Sequence, residues 1–103
     1  MSDYKLYYMP GTCALAPHIA LIEAGASYDT ENVPRDKLKS PEYLAVNSKG
    51  VVPSLRLYDG SILTESTAIL LHIGDKFPKS NFVPAVGTKE RDTVHRWLGY
   101  LRL

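Results

Sequence analysis

A chain of 103 residues, 45% hydrophobic and 22% charged, has room for one small globular core and for no second full domain. Twelve basic residues against eleven acidic ones leave a net charge of +1 with no run of like charge, which excludes the footprint of a nucleic-acid binder. A single cysteine, Cys13, excludes an internal disulfide framework; with no signal-peptide pattern and no apolar run of membrane-spanning length, a cytoplasmic protein without membrane contact is expected.

The first element in chain order is a strand over residues 4–9, where Leu6, Tyr7 and Tyr8 form a continuous run stopped by Pro10-Gly11. Leu15, Ile19 and Ile22 then recur at helical spacing and predict a helix ending near Gly25, with Pro17 acceptable only in its first turn. A more polar strand over 27–33 follows, then a charged connection over 34–40 and a short helical piece over 42–46. A strand, a crossover helix and a second strand imply a parallel pair.

The stretch from Asn47 to Leu70 organises the chain. Gly50, Val51 and Val52 lead into Pro53, and Leu55-Arg56-Leu57 meets Asp59-Gly60, a strong short-range hairpin signal. Ile62-Leu63 supplies the return strand, and Thr64-Glu65-Ser66-Thr67 opens a helix whose apolar positions are Ile69, Leu70, Ile73 and Phe77. The sum is β-α-β, a linker helix, then β-β-α, the order of a thioredoxin-like sandwich with a mixed four-stranded sheet.

Two ligand-binding devices flank that hairpin. A proline that ends a loop and starts a strand is a candidate cis bond, which would turn Val52's backbone polar groups outward for a peptide ligand. Ser66 lies where the first helical N–H groups lack internal partners and the dipole favours an anion, so a carboxylate fits there. An ordinary trans proline and a simple helix cap by Thr64 or Ser66 are the alternatives. Cys13, just before the Leu15 helix, is placed for a lowered thiol pKa, or else is a small packing residue. Because Ala16 stands where a second cysteine of a Cys-x-x-Cys pair would be, dithiol exchange is not expected. His18, His72 and His95 have no metal-ligand spacing, so no metal is expected, and the last two are read as solvent-facing or interface residues. His18 lies about 140° round a helix from Cys13, so the two form no dyad.

A loop over 79–87 leads to a last helix from Thr88, with Val94, Trp97, Leu98 and Leu101 along one stripe and no cap after Leu103. Such a stripe is expected to fold back on the domain, to pair with another chain or to mark a truncated protein, and the unpunctuated ending favours the last.

The runs KLYYMPGTCALAPHIAL, NSKGVVPSL and ILTESTAIL closely resemble the N-terminal domain of bacterial glutathione transferases of the beta class. The resemblance implies a glutathione-binding thioredoxin-like domain over 1–78, a linker over 79–87 and, over 88–103, the first helix of a truncated all-helical C-terminal domain. It implies that Cys13, the catalytic candidate, faces the glutathione sulfur with Thr12 contributing beside it. Val52 and the cis-proline Pro53 pair with the cysteinyl part, and Glu65 and Ser66 hold the γ-glutamyl end. Glutathione is the implied co-substrate, a small electrophile its partner, and a homodimer the implied full-length assembly. The family also has a histidine beyond Leu103 and often an asparagine where this chain has Gly99. A glutathione-dependent thiol-disulfide oxidoreductase or lyase using Cys13, and a non-catalytic interaction module, are the alternative functions.

Overall fold

The computed structural model describes residues 2–11, 15–81 and 83–101. Strands β1 (Tyr4–Tyr8), β2 (Tyr28–Asn32), β3 (Ser54–Arg56) and β4 (Ile62–Thr64) form one sheet in the order β2-β1-β3-β4. β1 and β2 are parallel, joined by helix α1 (Leu15–Ala24), while β3 is antiparallel to both β1 and β4. Helix α2 (Pro41–Leu44) follows a 3-10 turn at Arg35–Lys37; helices α3 (Ser66–Lys76) and α4 (Lys89–Leu101) complete the chain. The thioredoxin-like fold expected from the element order is the one observed.

Residues paired across strands share a face, so the register divides the core in two. Leu6 pairs with Leu55, and with Tyr4 they meet Ala20 and Leu21 of α1 and Ile69 and Ile73 of α3. On the opposite face, Tyr7 packs with Val33 and Tyr43 of α2. The Asp59-Gly60 turn forms as expected, closed by Gly60 N–H donating to Leu57 O and by Asp59 Oδ1 accepting from Ser61.

Helix α1 forms where the spacing predicts it, but the residues that set that spacing do not face the sheet. Leu15, Ile19 and Ile22 are 63%, 49% and 56% exposed, whereas Pro17, Ala20 and Leu21 are buried against the sheet. The helix is apolar nearly all round, so periodicity alone does not select its inner face. His72 is also a correction: it is half-buried, and its Nε2 shares a hydrogen bond with the Tyr4 hydroxyl at 3.2 Å. His95 does face solvent, yet its Nε2 accepts from Arg91 Nε at 2.9 Å.

Arg91, only 6% exposed, ties α4 to the rest of the molecule. Its guanidinium makes a bidentate pair with Asp75 of α3, at 2.9 and 3.0 Å, and donates to the Pro84 carbonyl. A fork of this geometry fixes orientation as well as distance. The helix itself starts at the Thr88 hydroxyl, which accepts from Arg91 N–H at the N-cap. On the stripe expected of α4, Trp97 is 55% exposed and Val94 half-buried.

Candidate functional site

The hairpin register places the site. Ser54 opposes Thr64, so the residues just before β3 and just after β4, Val52-Pro53 and Glu65-Ser66, lie side by side at one end of the sheet. Tyr7 opposes Ser54, so β1 ends at the same edge. The Val52–Pro53 peptide is cis. Asn47, Val51, Val52, Pro53, Thr64, Glu65 and Ser66 line one cleft of about 170 Å³.

A buried polar network holds the loop leading into this cleft. The Tyr43 hydroxyl donates to the Val51 carbonyl at 2.7 Å and lies 2.8 Å from Ser54 Oγ. Asn47 Nδ2 donates to the same carbonyl at 3.0 Å and to Ser54 Oγ at 3.3 Å. Since the single phenolic proton goes to Val51, Ser54 donates to Tyr43, and the direction of every bond is settled. Burial pushes the Tyr43 hydroxyl pKa up despite the polar neighbours Ser54 and Asn47, so it keeps its proton. Asn47 Oδ1 accepts from Lys49 N–H, which fixes the amide's orientation. Gly50, at φ +63°, is required here, because an added Cβ would meet the Lys39 side chain at 2.7 Å and the Leu38 carbonyl at 2.9 Å.

On the other wall, Glu65 is the residue before α3 and holds φ at +75°, a left-handed value rare for a side chain of this type. It makes no capping bond; its carboxylate lies 3.7 Å from Lys49 Nζ, both side chains mostly in solvent. Exposed pairs of this kind contribute little stability. Ser66 opens the helix and is 6% exposed. The cleft therefore offers an anion-favouring helix start beside a carboxylate, which suits a zwitterionic amino-acid end.

Val52, Pro53, Glu65 and Ser66 are thus brought together; Thr12 and Cys13 lie outside the described residues. Reading the sequence missed Tyr43, Asn47 and Ser54. The available signal was a tyrosine and an asparagine one helical turn apart, just ahead of a Gly-Val-Val-Pro loop. His18 stands apart from the cleft, 3.4 Å from the Tyr28 hydroxyl. Among the described residues no group of three or more His, Cys, Asp or Glu could hold a metal, and no helix is long and apolar enough to cross a membrane.

Comparison with known proteins agrees with this arrangement. The family described as glutathione S-transferase, N-terminal domain, matches residues 11–76. Over 100 residues the chain is 39% identical to glutathione S-transferase GstA of Escherichia coli O157:H7, covering 94% of this chain and 50% of that one. A bacterial beta class glutathione S-transferase of Sphingomonas chungbukensis is similar at 44% identity and a TM-score of 0.88, over 94% of this chain and 50% of that one. A sphingomonad glutathione S-transferase complexed with glutathione gives 43% identity and a TM-score of 0.87 at the same coverage, 94% and 50%. The chain spans about half the length of these relatives. A thioredoxin-like sheet with this cleft at its edge, matched by sequence and by structure, means that the chain belongs to the glutathione S-transferase family, through that family's N-terminal domain.

Proposed function

We propose that the protein binds glutathione in the cleft between Val52-Pro53 and Glu65-Ser66 and promotes attack of its thiolate on a small electrophile. The observation that carries this reading is the gathering of those residues at one sheet edge, with a strained carboxylate beside a helix start. Glu65 accepts from the γ-glutamyl ammonium, Ser66 and the first α3 N–H groups donate to its carboxylate, and the Val52 backbone pairs with the cysteinyl part. The family resemblance assigns Cys13 and Thr12 to the glutathione sulfur. In the reaction the thiol proton passes to solvent, a carbon–sulfur bond forms, and the leaving group departs with its electron pair. The structure of a relative complexed with glutathione supports the choice of ligand.

The division of the chain follows the same reading: 1–78 binds glutathione, 79–87 links, and 88–103 begins a helical region whose remainder completes the electrophile pocket and a homodimer. A cytoplasmic location accords with a single cysteine and a thiol co-substrate. Calorimetric titration with reduced glutathione tests the proposal. Saturable binding that weakens about tenfold in Ser66→Ala is expected, the loss of a charge-assisted hydrogen bond; no binding by the unaltered chain would count against it. Cys13→Ser distinguishes conjugation, which survives in part, from thiol exchange, which does not.

A further inference from the structure

The Val51 carbonyl accepts from both Tyr43 and Asn47, inside the protein. The only cis bond among the described residues is Val52–Pro53, so the Val51–Val52 peptide is trans and planar, and its N–H points opposite to its carbonyl. Holding that carbonyl inward therefore turns the Val52 N–H away from Tyr43 and Asn47. Outside the regular ladders, no backbone hydrogen bond among the described residues takes the Val52 N–H.

We propose that Tyr43 and Asn47 are positioning residues which, by gripping the Val51 carbonyl, aim the Val52 N–H at the peptide backbone of the ligand. The proposal rests on the glutathione reading of the cleft. Tyr43 reaches the loop from α2, on the opposite side of the sheet from α1 and α3, so α2 serves as the anchor of the peptide-binding edge. Ser54 has a different part: it donates to Tyr43 and is not itself a donor to Val51. Removing its hydroxyl leaves both donors on the carbonyl.

This difference separates aiming from plain stabilisation. Tyr43→Phe and Asn47→Asp keep shape while each takes one donor off the Val51 carbonyl, Asn47→Asp also losing the bond from Nδ2 to Ser54 Oγ; Ser54→Ala deletes a buried hydroxyl of the same network. Calorimetry with reduced glutathione, thermal unfolding and the carbon-13 carbonyl shift of Val51 are measured for all three. All three lower the unfolding midpoint. Tyr43→Phe and Asn47→Asp move the Val51 carbonyl shift upfield and weaken glutathione about tenfold, whereas Ser54→Ala weakens it less than threefold, the scale set by a single hydrogen bond. Affinity that follows the unfolding midpoint across the three variants, or an unaltered affinity in Tyr43→Phe, overturns the proposal. An unaltered chain that binds no glutathione removes the ligand reading, and an unmoved Val51 carbonyl signal in Tyr43→Phe separately removes the grip.

Discussion

Glu65 occupies φ +75° and ψ +121°, a region that glycine enters freely and other residues enter at about 1–3 kcal/mol. Glu65→Gly relieves that strain while giving up unfolded-state restriction, so a net gain of about 1 kcal/mol in unfolding free energy is expected by urea titration. Glutathione affinity is expected to fall at least tenfold in the same variant, since the carboxylate is gone. A variant that is both firmer and poorer at binding would identify the strain as serving the ligand. Half-buried His72 gives a second test. Its pKa is held below the ordinary 6.5, first by burial and then by Lys76, so the neutral ring is the folded form. A lowered histidine pKa means the unfolded chain takes up the proton first. Stability is then fully present above pH 6.5 and declines as the pH falls through the lowered value. His72→Phe keeps the ring packed on Tyr4 and should flatten that part of a stability profile taken in denaturant at successive pH values.

Helix α3 meets the 79–87 loop through Gly74, where an added Cβ would collide with the side chain of Val83. Alanine is favoured over glycine inside a helix by about 1 kcal/mol, but overpacking costs typically about 1–3 kcal/mol, so the contact decides the sign. Gly74→Ala should lower stability in a chemical denaturation, and adding Val83→Ala should restore much of the loss. The ion pair between α3 and α4 behaves differently. Hydrogen bonding from Arg91 holds the Asp75 carboxyl below its ordinary 3.8, so the pair's contribution is present above that value and is lost as acid takes the pH down through the lowered one. Asp75→Asn should therefore match the parent at low pH and fall short of it near neutrality. Much of this architecture was legible in residue order: Asp59-Gly60 announced the hairpin and Pro53 and Ser66 the two flanks of the cleft by local rules, while Glu65 entered through the family resemblance. Tyr43 and Arg91 were not legible, because their partners, Val51, Ser54, Asp75 and Pro84, become neighbours only through tertiary packing. The inner face of α1 was not legible either, since a helix apolar nearly all round carries little directional pattern.

At the scale of the molecule, apolar surface remains uncovered on the helical side. Leu15, Ile19 and Ile22 of α1 are exposed, and Ile19 shares a groove with Ala16, Ala20 and Leu70. Relatives twice the length of this chain have more polypeptide available to bury such a face. The chain in isolation is expected to self-associate, which sedimentation velocity across a concentration series would detect; a monodisperse monomer would contradict it, and Ile19→Glu should reduce the association. The β2 edge of the sheet offers no comparable route. It reads Tyr-Asp-Thr-Glu-Asn, with all but Tyr28 exposed, and among the described residues only Glu31 of this strand pairs with a lysine, Lys5. A foreign strand laid along it would set its own side chains beside two carboxylates and gain almost no apolar contact. Growth of a fibre needs both edges of every sheet, and the polar β2 edge withholds one of them, so open-ended addition of strands is discouraged by that strand's own side chains.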